Sequence, residues 1–203
     1  MVITKIEPIT KAKSKIYTDE YISFVLFNKE ISRYHLMEDT ELEEDVYQEI
    51  IDEILMKRAK LRAMHLLQKM DRTEQQLRRK LEEGGYPEEV VEAAVAYVQK
   101  YHYVDDRRYA ENYVDTRKGT KSRRQIQQEL RQKGIAGDTA QSALEGYDAE
   151  QEREAILTWM RKKHYSPDSA MQEERRKMYG FLLRKGFHMG EIMSCLRLES
   201  EYV

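Results

Sequence analysis

From Arg117 to Lys133 the chain carries Arg117, Lys118, Lys121, Arg123, Arg124, Arg131 and Lys133 against a single acid, Glu129. Cations at this density attract a polyanion, and each phosphate they neutralise releases a condensed counterion. On a helix opening at Arg123, spacing by threes and fours puts Arg124, Gln127, Gln128 and Arg131 on one exposed sector. The same spacing turns Ile126 and Leu130 inward. Lys118, Lys121 and Arg123 fall at the loop and helix start, where unpaired backbone N–H groups also favour phosphate. Tyr101, Tyr103, Tyr109 and Tyr113 stand just upstream and offer rings on which bases could stack. Taken one by one, the tyrosines read more readily as core. The plain alternative for the whole cluster is a solvated face paired with nearby acids. Shorter basic runs, Arg78-Arg79-Lys80, Arg175-Arg176-Lys177 and Arg184-Lys185, recur along the chain.

Other chemistry is sparse. The sequence has no phosphate loop and no GxGxxG, and its five histidines share no ligand spacing. The single cysteine, Cys195, forms no internal disulfide and reads as core filler. These features predict a protein that is not an enzyme and needs no cofactor or metal. No run approaches the roughly 18 apolar residues of a membrane span. Met1 to Lys13 has no apolar signal region, so a cytoplasmic location is expected.

The elements that must position the cations are helical. Across 203 residues there are 9 Gly and 3 Pro, with 35% charged residues. The net charge of −2 divides into −7 over residues 1–55, +5 over 56–147 and zero over 148–203. From about residue 58 the sequence repeats. LEEGGY (Leu81–Tyr86), LRQKGI (Leu130–Ile135) and LLRKGF (Leu182–Phe187) align at spacings of 49 and 52 residues. Leu77, Ile126 and Met178 match four positions earlier, and Val95, Leu144 and Leu196 match downstream. A period of this size marks tandem helical units. Thr73-x-x-Gln76 and Ser122-x-x-Gln125 read as capping boxes that start the middle helices, with Ser166-Pro167 in their place in the third unit. The aligned glycine stops each middle helix, because glycine adopts a left-handed conformation without Cβ strain. The 40% hydrophobic share suits several small cores better than one large one.

Residues 1–55 read differently. Tyr21–Phe27 is β-branched and aromatic, and with Thr18-Asp19-Glu20 as a turn it predicts a β-hairpin or small meander. Lys29–Leu36 reads as a short helix. Asp39-Thr40 is expected to open a long helix whose apolar face includes Val46, Ile50, Ile51, Ile54, Leu55, Leu61, Met64 and Leu67. The expected fold class is all-α: an elongated array of three tandem three-helix repeats with a small N-terminal extension. The expected divisions are 1–55 for the extension and 56–104, 105–148 and 149–203 for the repeats.

Asp105–Ile135 resembles the RecX family, bacterial regulators of the RecA recombinase. The matching features are Asp105-Asp106, Tyr109-Ala110, Arg117, Ile126, Glu129-Leu130 and Lys133-Gly134-Ile135. The resemblance spans about residues 56–198 and is loose over 1–55. Where the family often has Gly-Pro, this chain has Ser122-Arg123. The resemblance implies a non-enzymatic modulator that binds the RecA filament and its single- or double-stranded DNA and inhibits ATP hydrolysis and strand exchange; a monomer is expected. It carries a binding role onto Arg117, Lys121, Arg124, Arg131 and Lys133. Lys118, Arg123, Arg78, Arg79, Arg184 and Lys185 join the candidate set on charge and repeat position. A stand-alone helical DNA-binding protein and a protein-only adaptor using the acidic N-terminal segment are the competing readings.

Overall fold

Alternating apolar residues build the N-terminal end. The computed structural model describes residues 1–198. In it Ile3–Thr10 (β1), Lys13–Thr18 (β2) and Ser23–Phe27 (β3) form an antiparallel meander of order β1-β2-β3. Ile16 pairs with Phe24 and Ser14 with Leu26, and all four side chains are buried on one face. The turn expected at Thr18–Glu20 is present, with the Thr18 N–H donating to the Ile22 carbonyl at 3.0 Å. Tyr21 belongs to that turn rather than to the strand. It has φ +62° and is 99% exposed.

The short helix expected over Lys29–Leu36 forms as Asn28–Arg33 (α1). The long helix starts later than its Asp39-Thr40 signal, at Glu44. The intervening residues cover the open edge of β1: the Ile3 N–H donates to Thr40, the Asp39 N–H to Ile3 and the Leu42 N–H to Met1. An uncovered strand edge leaves unpaired backbone groups, and satisfying them outweighs a weak helix-start signal. From Glu44–Glu49 (α2) the chain runs through a π-helical segment, Ile50–Leu55, into Met56–Lys69 (α3). The wider π turn shifts the helical phase. Ala59, Ala63 and Leu66 therefore face inward, and Leu61, expected on the apolar face, is 73% exposed.

Three helix groups follow the repeat. The first adds Glu74–Glu82 (α4) and Glu88–Lys100 (α5) to α3. The second is Asp106–Arg117 (α6), Arg123–Gln132 (α7) and Gly137–Ala143 (α8). The third is Ala149–Lys162 (α9), Gln172–Arg184 (α10) and Met189–Leu196 (α11). Gly85, Gly134 and Gly186 end the middle helices at φ +78°, +85° and +80°. After each, the next residue's N–H reaches back to the aligned leucine carbonyl: Tyr86 to Leu81, Ile135 to Leu130 and Phe187 to Leu182. This closure satisfies helix-end carbonyls and folds the bulky residue back onto the helix.

The caps agree only in part with the sequence reading. Thr73 and Gln76 form the reciprocal box. Ser122 accepts from the Gln125 N–H, but the Gln125 side chain turns to Glu129 instead. Helix α10 begins at Gln172, after a loop opened by Ser166-Pro167, with Glu174 accepting from the Met171 N–H. Proline fixes the chain in an extended turn there, and the helix starts where a carboxylate reaches back to its first N–H groups. Asp148 and Gln151 make a further box at α9.

The chain divides after Asp105 into two compact units. In the first, sheet and repeat share one core: Ile3, Ile16, Phe24 and Leu26 bury with Leu55, Leu77, Leu81 and Val95. In the second, Ala110, Ile126, Leu130 and Leu144 form one core, and Ile156, Met178, Leu182 and Leu196 another. No helix among the described residues is long and apolar enough to cross a membrane.

Candidate nucleic-acid interface

Helix α7 carries the densest charge, and its inward stripe fixes which cations face water. Ile126 and Leu130 are fully buried, so Arg124, Gln128 and Arg131 project outward, with Gln127 half-buried beside them. Three of the four residues read from the spacing as exposed are so, and Gln127 is the exception. The structure then sorts the seven cations by what each one touches.

Several are engaged. Lys121 Nζ lies 2.6 Å from both Glu129 carboxylate oxygens. Lys118 pairs with Asp115 at 2.9 Å. Arg123 donates to the Tyr147 carbonyl at 3.0 Å, while the Tyr147 hydroxyl donates to the Lys121 carbonyl at 2.6 Å. Arg117 lies over the Tyr113 ring at 5.5 Å, and Lys133 over Tyr113 and Tyr109 at 5.2 and 5.9 Å. Those two rings are nearly parallel, with centroids 6.2 Å apart. Half-buried and capped by cations, they serve as packing, whereas Tyr101 and Tyr103 are exposed.

Glu129 anchors this group. Its carboxylate also accepts from the Tyr113 hydroxyl at 2.8 Å and from Gln125 at 3.2 Å. Burial pushes its pKa up, but hydrogen bonds from Lys121 and Tyr113 outweigh this and hold it below the usual carboxylate range. Burial and the bond to Glu129 push the Tyr113 hydroxyl up to about 12, so it remains a donor. A depressed folded pKa stabilises above the unfolded value and loses that contribution as pH falls through it. Glu129→Gln is therefore expected to cost about 2 kcal/mol at pH 7, the worth of hydrogen bonds to a charged group. The difference from the parent should shrink below about pH 4, where the parent carboxylate also protonates. Urea unfolding at pH 7 and pH 3 checks this. Equal differences at both would show that shape, not charge, is what Glu129 supplies.

Of the two that remain, Arg131 is exposed on α7 outside the cleft, and Arg124 lies across from cations of the third repeat. Arg124, Gln125 and Gln128 of α7 face Leu183 and Arg184 of α10, with Lys185 and Gly186 beyond its end, across a cleft of about 580 Å³. None of its lining residues is acidic. Among the described residues, Arg124, Arg131 and Arg184 are exposed and have no hydrogen-bond or ion-pair partner, and Lys185 lies 4.9 Å over the Trp159 ring. Like charges placed together without a counter-charge repel one another and favour an incoming anion. In the first unit the cations of the middle helix are neutralised: Arg78 pairs with Glu74 and Glu92, and Arg79 with Glu83.

The sequence reading missed the cleft itself, along with Gln125 as part of its wall and Trp159 behind it. The repeat alignment held one signal, since Lys185 and Lys133 occupy the same position before the aligned glycine. Elsewhere, Cys195 is half-buried against the third core, and burial pushes its thiol pKa up, away from a nucleophile's range.

Comparison with known proteins covers all three repeats. The family models described as RecX first, second and third three-helix domains match residues 59–97, 105–144 and 150–196. A protein of Clostridium acetobutylicum named Regulatory protein RecX is 31% identical over 202 residues, covering 96% of this chain and 94% of its own. One of the same name from Caldanaerobacter subterraneus is 30% identical, covering 98% of this chain and 100% of its own. A crystal structure of regulatory protein RecX superposes with a TM-score of 0.62 at 28% identity, covering 97% of this chain and 98% of that one. The likeness therefore extends over the N-terminal 55 residues, beyond the span that the sequence resemblance marks out.

Proposed function

The chain belongs to the RecX family, and from that premise we infer that it regulates the RecA recombinase by binding the RecA–DNA filament and restraining ATP hydrolysis and strand exchange. The observation that carries this reading is the acid-free cleft in which Arg124 meets Arg184 and Lys185. A filament presents both protein and phosphate, and unpaired arginines on a helix face suit the phosphate part, because Arg engages it bidentately. The same cleft supports contact with single- and double-stranded DNA alike, since neither Arg nor Lys there is arranged around a base edge. The protein is proposed to act in the cytoplasm, as a monomer.

Co-sedimentation with RecA filaments on single-stranded DNA tests the reading. The parent chain is expected to pellet with the filament and to slow its ATPase at stoichiometric amounts. Arg124→Glu/Arg131→Glu is expected to stay in the supernatant. No pelleting and no ATPase effect from the parent would overturn the proposal. Tight binding to bare DNA with no preference for the filament would favour a stand-alone DNA-binding protein. Unchanged pelleting of the double reversal would favour a protein-only adaptor.

A further inference from the structure

The two walls of the basic cleft come from residues about 60 positions apart, so something must hold them in register. Two hydrogen bonds between the second and third repeats do so. The Trp159 indole N–H, on α9, donates to the Thr120 carbonyl at 2.7 Å, in the turn that leads into α7. The Ser122 hydroxyl, at the start of α7, donates to the Lys185 carbonyl at 2.7 Å. Gly186 permits the approach, since a Cβ there would lie 3.1 Å from the Ser122 hydroxyl oxygen. The indole also packs edge-on against Phe181 at 5.3 Å and lies under the Lys185 ammonium at 4.9 Å. One side chain thus touches the α10 wall and reaches across to the α7 wall.

We propose that Trp159 is the positioning residue of the cleft, setting the spacing between Arg124 on one wall and Arg184 and Lys185 on the other to fit a run of adjacent phosphates. This inference rests on the phosphate-binding reading above. Preorganised cations lose less freedom on binding than loose ones, so a joint that fixes their spacing raises affinity without adding charge. Trp159→Phe isolates the effect. It leaves a single six-membered ring to face Phe181 and Lys185 and removes the indole N–H together with the fused pyrrole ring, so the melting temperature is measured alongside affinity.

For Trp159→Phe the expected result is a three- to tenfold weaker association with RecA filaments on oligodeoxythymidine, about what one hydrogen bond is worth. The slope of log K against log salt should fall by about 0.7, as one phosphate leaves the engaged set. A purely structural role would lower the melting temperature and leave affinity and slope of the folded protein unchanged. That outcome overturns the proposal. A second measurement uses the parent chain, in which Trp159 is the sole tryptophan. Titration with bare oligodeoxythymidine at low salt should change its emission as Lys185 leaves the ring for phosphate. Unchanged emission overturns the proposal. If Arg124→Glu/Arg131→Glu binds as the parent does, the phosphate reading itself fails. If that variant loses binding while Trp159→Phe keeps both affinity and slope, only the positioning role fails.

Discussion

Replacing Gly85 with alanine is expected to destabilise the first unit by about 3 kcal/mol or more, a large share of what a small domain has. Two costs combine. Gly85 sits at φ +78°, where an L-residue loses roughly 1–2 kcal/mol. A Cβ there would also lie 2.2 Å from Val25 Cγ2 on β3. The strand cannot easily withdraw, because the Val25 N–H donates to the Gly85 carbonyl at 3.2 Å and its neighbours Phe24 and Leu26 are fully buried. Relieving such overpacking by shifting backbone typically costs 1–3 kcal/mol. Urea unfolding of Gly85→Ala, Val25→Ala and the double variant separates the two costs. In the Val25→Ala background the added loss from Gly85→Ala should fall towards the backbone cost, with only the residue-25 Cβ left at 3.1 Å. An equal loss in both backgrounds would mean that the glycine–strand contact is not what limits the site.

That contact marks the boundary of what is legible in the sequence. The aligned glycines, the leucines before them and the bulky residues after them are local features, and the structure places them as the repeat implies. Each helix end is decided within a few residues, so pattern suffices. The failures arise where distant backbone intervenes. Residues 39–42 carry a helix-start signal, yet the edge of β1 takes their hydrogen bonds. The π segment rotates Leu61 out of the core in a way that threes-and-fours counting does not anticipate.

The binding site divides in the same way. That Arg124 and Arg131 share an exposed sector follows from helix geometry alone. Which cations stay open does not, because it depends on where the acids fall. Lys121 reads as a binding residue until Glu129, two helical turns later, is seen to hold it. Arg78 and Arg184 both belong to basic runs on middle helices, but Glu74 and Glu92 neutralise the first, whereas among the described residues no acid pairs with the second. At the cleft the residue after α10 meets the start of α7 through the Ser122 hydroxyl, and α9 meets the turn before α7 through the Trp159 indole N–H, contacts between residues far apart in sequence.

Arg124→Gln/Arg184→Gln is expected to weaken filament binding about 70-fold near 0.05 M salt and only about tenfold near 0.2 M, because losing two phosphate contacts removes about 1.4 from the salt slope. The convergence with rising salt is the informative part. A variant that merely misfolds a repeat would bind poorly at every salt concentration with no ordered change in slope. The control is Lys57→Gln/Arg107→Gln, which removes the same charge from exposed residues paired with Glu53 and Glu111. At physiological ionic strength a charge acts over only about 8 Å, so removing cations that make no part of the phosphate contact should change affinity less than twofold. If the control weakens binding as much as the cleft variant, total charge rather than the α7–α10 geometry governs association. If the cleft variant alone loses affinity and slope together, the phosphates lie where Arg124 and Arg184 face each other. The paired cations elsewhere on the chain then contribute little, because each must first give up a carboxylate to reach a phosphate.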